Sequence, residues 1–224
     1  MKLYLTNKQA LLFRNNASVF LNGLTSNAMD KPHNAFLSIH GKIIATFDQL
    51  TIDGDTVFVV MEKPYIEDAL KHLDRYTKLS GVKVEELPQR IYFDVAGDYA
   101  ASEGEYTIAQ NKGKLVISSK ALAASVSEEE FTLFRLNQHI PLHGVDYKDE
   151  FLLNIGTTEH VSFTKGCYLG QEPVSKVYNR SKPTWKLVVK DENECSEEER
   201  IKMTSKARDP QTKKVRGFVF IKNV

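Results

Sequence analysis

The chain has 224 residues, 42% of them hydrophobic and 26% charged, and a formal net charge of +1. That balance fits a globular fold of one or two domains and gives no overall attraction to nucleic acid or membrane surfaces. No apolar run approaches the ~20 residues of a membrane span, and Cys167 and Cys195 lie too far apart for a CxxC or zinc spacing. The apolar part of Met1–Leu5 is too short for a secretory signal, so cytoplasmic residence is the expectation.

In chain order, Ile43 to Ile52 and Thr56 to Met61 flank Asp53-Gly54, which predicts a β-hairpin with a tight turn. Ile66, Ala69, Leu70, Leu73, Tyr76 and Leu79 recur at helical spacing between Pro64 and Gly81, an amphipathic helix with both ends marked. Tyr106 to Gln110 and Leu115 to Ser118 flank Asn111-Lys112-Gly113, a second hairpin signal. Ser127-Glu128-Glu129-Glu130 is a capping box opening a helix that runs to Gln138, and its Phe131, Phe134 and Leu136 read as core. Beyond Trp185, short strands alternate with polar turns such as Asp209-Pro210. Strands and helices are mixed rather than regularly alternating, which predicts an α+β body followed by a small all-β module.

The most informative stretch is Lys165-Gly166-Cys167-Tyr168-Leu169-Gly170-Gln171-Glu172. Gln171, Glu172 and Pro173 read as a helix start, because proline suits the first turn and an acidic side chain suits its positive end. Val174, Val177 and Tyr178 then supply a short apolar face. A thiol ahead of such a helix and beside Lys165 has its thiolate stabilised, which makes Cys167 a candidate nucleophile or metal ligand. The flanking glycines permit a sharp turn or a close approach to a ligand. The competing reading of a lone cysteine is a small buried hydrophobe. Cys195, in Glu194-Cys195-Ser196-Glu197, reads as exposed, with negative neighbours that disfavour a thiolate.

The octapeptide resembles the signature of the YgfZ-type folate-binding proteins, whose pattern reads roughly K-G-C-Y-x-G-Q-E. These are relatives of the glycine-cleavage T-protein, an aminomethyltransferase. Looser similarity extends over Phe20–Asn27, His40–Ile44, Arg135–Pro141, Gly144–Asp146, Thr204–Ala207 and Arg216–Val219, with Val161–Thr164 matching the strand before the motif. The resemblance implies two split-βαβ (ferredoxin-like) subdomains and a small C-terminal β-barrel around a central hole. Residues 1–45 with 135–183 would form the subdomain carrying the motif, residues 46–134 the second, and 184–224 the β module. It also implies an accessory protein that binds tetrahydrofolate or a derivative and supports assembly or repair of iron–sulfur enzymes, and with them tRNA modification; its oligomeric state stays open, with a monomer favoured because no extended heptad pattern is present. Its partners would be iron–sulfur assembly factors or client enzymes, with no direct contact to nucleic acid or membrane and no resident metal. Cys167 would be the reactive centre and Lys165 its stabiliser. Gly166, Tyr168, Gly170, Gln171 and Glu172 would shape the folate site together with Asp48 and Asn154.

Two departures from the resemblance bear on chemistry. In the T-protein branch a strand aspartate positions the reacting amine; the matching position, five residues beyond Gly41, is Thr46, which cannot act as a carboxylate base. Asp48, two residues further, points to the same strand face and either reaches the site or is a solvent-exposed carboxylate. Relatives carry a Pro-x-Glu element before the motif, where this chain has Phe151-Leu152-Leu153-Asn154. Asn154 can donate and accept hydrogen bonds but lacks the charge, and Glu150 and Glu159 are alternative substitutes. Six basic residues between Lys165 and Lys190 face the single acid Glu172, either as solvated charge or as attraction for an anionic folate tail. His139 and His143 have i, i+4 spacing, but Pro141 breaks the helix that would align them on a metal. The alternative function is a folate-dependent aminomethyltransferase or other one-carbon transferase, and a third is a protein-interaction scaffold.

Overall fold

A computed structural model describes residues 1–223 and shows an α+β chain with three antiparallel sheets. The first sheet is built from β2 (Lys8–Arg14), β3 (His33–Leu37), β4 (Ile43–Thr51), β5 (Val57–Glu62) and β6 (Lys83–Leu87), in the order β3-β4-β5-β2-β6. Helices α1 (Ala17–Leu24) and α2 (Ile66–Ser80) belong to it. The second sheet takes β1 (Leu3–Leu5) from the N-terminus and adds β7 (Arg90–Asp94), β8 (Tyr106–Ala109) and β9 (Lys114–Ser118), in the order β1-β7-β9-β8. Helices α3 (Glu128–Gln138) and α4 (Gln171–Arg180) follow. The third sheet, β10-β12-β11, joins β10 (Trp185–Asp191), β11 (Thr204–Arg208) and β12 (Val215–Lys222), with α5 (Glu197–Lys202) between β10 and β11.

Strand alternation sorts the first sheet into two faces. Leu11, Phe13, Phe47, Val59 and Met61 pack against Leu21 of α1 and Ile66, Ala69 and Leu73 of α2. Each large side chain buried in this way contributes about 1.5–3 kcal/mol. On the opposite face, Ala10, Leu12, Phe58 and Val60 meet Ile91, Phe93, Leu115 and Ile117 of the second sheet and Phe131 of α3. Strands β2 and β5 are therefore covered on both sides, which explains their uninterrupted apolar runs. At one end of this sandwich the same inner face continues into charged residues. Lys8 pairs with Glu62 across β2 and β5, Asp48 pairs with Val60 across β4 and β5, and His33 pairs with Asp48 across β3 and β4. A dry core thus gives way to a polar cavity.

The third sheet is fastened to the body by a buried ion pair. Arg135 Nη1 donates to Asp146 Oδ2 at 2.8 Å, and Asp146 Oδ1 accepts from Thr204 Oγ1 and Ser205 Oγ at 2.7 and 2.6 Å. Leu136, Tyr147, Leu152, Tyr168 and Val174 share a core with Leu187 and Phe218 of that sheet.

Both predicted hairpins form, as β4–β5 and β8–β9. Helix α2 ends at Gly81, whose φ of 73° suits glycine, and both arms of the Ser127–Glu130 capping box are made. Three local expectations are corrected. Val161–Thr164 is not a strand: the Ser162 amide donates instead to the Ser26 carbonyl at 2.9 Å, tying this stretch to the loop after α1. The acidic stretch after Cys195 contains a helix, α5, with its own capping box between Ser196 and Glu199. Cys195 is buried, not exposed, against Met203 and Val219, and its thiol contacts the Asp191 carbonyl at 3.4 Å. Burial before anything else raises its pKa, so it remains a poor thiolate for a different reason. The expected division at residues 45/46 falls inside β4, and the C-terminal strands form a three-stranded sheet. No helix among the described residues is long and apolar enough to cross a membrane.

Candidate functional site

A cavity of about 550 Å³ opens where the inner face of the first sheet turns polar. It is bounded by β2, β4 and β5, by the second sheet, and by the loops around His143 and His160. At its floor, Lys8 Nζ lies 3.2 Å from Asp48 Oδ2 and 3.2 Å from Glu62 Oε1. Asp48 Oδ1 accepts from His33 Nδ1 at 3.0 Å and from Gln110 Nε2 at 3.2 Å. Burial alone would raise the Asp48 pKa, but the Lys8 ammonium and the His33 hydrogen bond outweigh it and hold the carboxyl well below its usual range. Burial would likewise lower Lys8, and the two carboxylates beside it reverse the sign and raise it. For His33, the Asp48 hydrogen bond overcomes burial and raises the pKa. The solvent-exposed reading of Asp48 is therefore overturned: it is buried and accepts from three side chains.

Above this floor the wall mixes aromatic and neutral polar groups. Tyr4 stacks on Phe131 with ring centroids 4.1 Å apart, and both line the cavity. Thr46 Oγ1 and the Tyr147 hydroxyl are 2.7 Å apart, so Thr46 is spent on a neutral hydrogen bond. His143 and His160 complete the wall. Burial lowers His143 to about 4 and His160 to about 3, with nearby positive groups adding to the effect, so both rings are neutral near pH 7. Among the described residues neither His143 nitrogen has a partner, nor does His160 Nδ1.

The octapeptide lies elsewhere, on the side of the first sheet that carries α1. Lys165 Nζ donates to the carbonyls of Asn22, Thr25 and Asn27 at 2.8, 2.7 and 2.9 Å. These carbonyls sit at and just beyond the C-terminal end of α1, where the helix dipole favours a cation. Burial lowers the Lys165 pKa to about 8, yet three carbonyl acceptors use all three protons of the ammonium. The loop after α1 is itself held by a buried amide: Asn34 Nδ2 donates to Thr25 Oγ1, Asn27 O and Gln49 Oε1 at 3.1 to 3.2 Å. Tyr168 is buried in the core beneath the third sheet, with Lys165 Nζ 5.2 Å from its ring centroid. Gly170 caps α4 with φ 83°, and a Cβ there would lie 2.5 Å from the Ser38 carbonyl, so only glycine fits. Gly166 and Cys167 are exposed, and Cys167 is a free thiol. Gln171 and Glu172 form the first turn of α4, with Glu172 exposed.

Of the residues expected to bind a cofactor, Asp48 lines the cavity, while Asn154 and residues 165–172 are absent from its lining. Asn154 is buried and donates through Nδ2 to Glu150 Oε2 at 3.2 Å. Glu159 reaches the cavity rim, where Asn111 Nδ2 donates to its carboxylate. The structure adds Lys8, Glu62, His33, His143, His160 and Tyr147, none singled out from sequence for this site. A weak signal existed for two of them: Lys8 and Glu62 are charged ends of otherwise apolar strands.

No protein-family model matches the chain. Among solved structures it is similar to the glycine cleavage system aminomethyltransferase T from Bartonella henselae, with a TM-score of 0.74 and 12% sequence identity. The match covers 99% of this chain and 78% of that one. At that identity the likeness shows the fold: this chain is folded like an aminomethyltransferase T.

Proposed function

We propose that the protein binds a folate-type ligand, tetrahydrofolate or a derivative, in the Asp48 cavity, and works as a YgfZ-type accessory protein for iron–sulfur enzymes. The observation that carries the ligand reading is the cavity itself, in a fold shared with an aminomethyltransferase T. Its volume lies within the roughly 300–1,000 Å³ of small-molecule sites. It also has aromatic faces for a flat ring, and buried histidine nitrogens that lack partners among the described residues. These residues fit a pterin head. Tyr4 and Phe131 would bound the ring faces, and Thr46, Tyr147, His143 and His160 would meet its polar edge. Tetrahydrofolate, when bound, supplies an amine nitrogen that carries one-carbon units.

The second reading, aminomethyl transfer, is favoured by a buried carboxylate in the cavity. Against it stands the state of that carboxylate. A general base works best with a pKa near the operating pH, whereas Lys8 and His33 hold Asp48 low, fully ionised and weakly basic. Binding without transfer follows more simply from this geometry.

Cys167 would serve the accessory role from the surface, as a protein-facing nucleophile or transient thiolate ligand. Lys165, Gly170 and the α4 start would hold its loop in place. The folate reading is tested by calorimetric titration with tetrahydrofolate; saturable micromolar binding is expected, and no heat from any folate refutes it. Aminomethyl transfer predicts turnover with tetrahydrofolate and an aminomethyl donor, abolished in Asp48→Asn. The Cys167 role fails if Cys167→Ser fully restores iron–sulfur enzyme activity in cells lacking the native protein.

A further inference from the structure

His143 is 4% exposed, lines the cavity, and has no hydrogen-bond partner among the described residues on either ring nitrogen. Its ring is fixed in place. Tyr65 stacks on it with centroids 3.7 Å apart, and Tyr147 lies 5.3 Å away at an interplanar angle of 17°. Gly144 permits that stack: its φ is 85°, and a Cβ there would lie 2.7 Å from the Tyr65 ring. A buried imidazole held rigidly with free nitrogens is costly unless something else completes its hydrogen bonds. His160 repeats the pattern on a smaller scale, with Nδ1 buried, unpartnered and beside the same cavity.

Both rings are neutral near pH 7, so each offers one donor and one acceptor. Asp48 differs, because Lys8, His33 and Gln110 already occupy it. The unspent hydrogen-bonding capacity of the wall therefore belongs to the histidines and not to the carboxylate.

We infer that His143, with His160 beside it, is the ligand-reading residue of the cavity, and that it selects an uncharged heterocyclic edge presenting both a donor and an acceptor. The pyrimidinone edge of a pterin has that character. The choice of a pterin rests on the folate reading above; the assignment of the histidines rests on their own geometry.

His143→Phe keeps a ring in the stack and removes both nitrogens. Calorimetry with tetrahydrofolate is expected to show at least tenfold weaker binding than wild type, with the thermal midpoint unchanged or raised. A merely structural histidine would give the reverse, a lower midpoint with affinity intact. Wild-type affinity in folded His143→Phe overturns the inference and leaves folate binding standing. If tetrahydrofolate fails to bind the wild-type chain, the folate reading falls, and guanine, a neutral bicyclic pyrimidinone, becomes the probe in a thermal-shift assay. Stabilisation of wild type that His143→Phe lacks then supports the inference. An equal response of the two proteins, including none in either, overturns it. Should His143→Phe fail to fold, His143→Met replaces it in both experiments.

Discussion

Replacing Lys8 by methionine tests the electrostatic design of the cavity floor. Lys8 stands 3.2 Å from both Asp48 and Glu62, and all three side chains are largely buried. Lys8→Met keeps most of the aliphatic stem and leaves two carboxylates without their cation. Removing one partner of a buried ion pair costs about 3–5 kcal/mol, which for a chain of this size lowers the thermal midpoint by roughly 6–20 °C. The pH dependence gives the sharper test. In wild type the folded Asp48 pKa is depressed, so its stabilisation is complete above the unfolded value of about 4 and is lost only as pH falls through the lower folded value. Between pH 7.5 and 5 that contribution is flat. In Lys8→Met, burial is no longer offset by the ammonium and pushes the folded Asp48 pKa above its unfolded value. The penalty is then largest at pH 7.5 and is relieved as protons bind on the way to pH 5. Urea denaturation of both proteins at the two pH values should give a stability difference smaller at pH 5 by at least ~1 kcal/mol, the value of about one pKa unit. An equal difference at both pH values, or a total below ~1 kcal/mol, would mean that solvent already neutralises the cluster, and the reasoning would fail.

Other outcomes follow from the same contacts. The folded His33 pKa is raised, so its bond to Asp48 stabilises fully below the unfolded value of about 6.5 and is lost as pH rises through the folded one; the stability gap between wild type and His33→Gln should shrink as pH rises from 6 toward 8. Asp146→Ala leaves Arg135 buried without a counter-charge, costing about 3–5 kcal/mol, and amide exchange in β11 should accelerate because Thr204 and Ser205 lose their acceptor. Gly170→Ala forces a side chain into a left-handed position against the Ser38 carbonyl, at a cost of roughly 1–3 kcal/mol, visible as a lower midpoint and faster exchange through residues 165–171. Iodoacetamide on the native protein should label Cys167 and spare Cys195 until denaturant is added, since one thiol is exposed and the other buried; equal labelling of both would contradict the placement of Cys195.

Features held by neighbours in the chain were legible in the sequence. Asp53-Gly54 closes its hairpin, Gly81 ends α2, and Ser127 with Glu130 caps α3, because each rests on backbone geometry within a few residues. The same local logic was available at Ser196 and Glu199, where the surrounding acidic run hid a helix that the capping box signals. The start of α4 just beyond Cys167, marked by Gln171, Glu172 and Pro173, was also a local property. Partner choice was not. Lys165 is next but one to Cys167 in the chain, yet its protons go to carbonyls around residues 22–27, which only the docking of that loop on α1 brings within reach. Cys195 has acidic neighbours in sequence and an apolar pocket in space. The cavity is the extreme case: Lys8, His33, Asp48, Glu62, His143 and His160 come from six separate elements or loops, and no spacing rule relates them. Their juxtaposition follows from strand register, which pairs Lys8 with Glu62 and His33 with Asp48, and from sheet packing that leaves this end unfilled. Sequence by itself determined the elements whose ends are marked within a few residues; tertiary structure decided which charges meet, because register and packing couple residues whose separation along the chain carries no information about their distance.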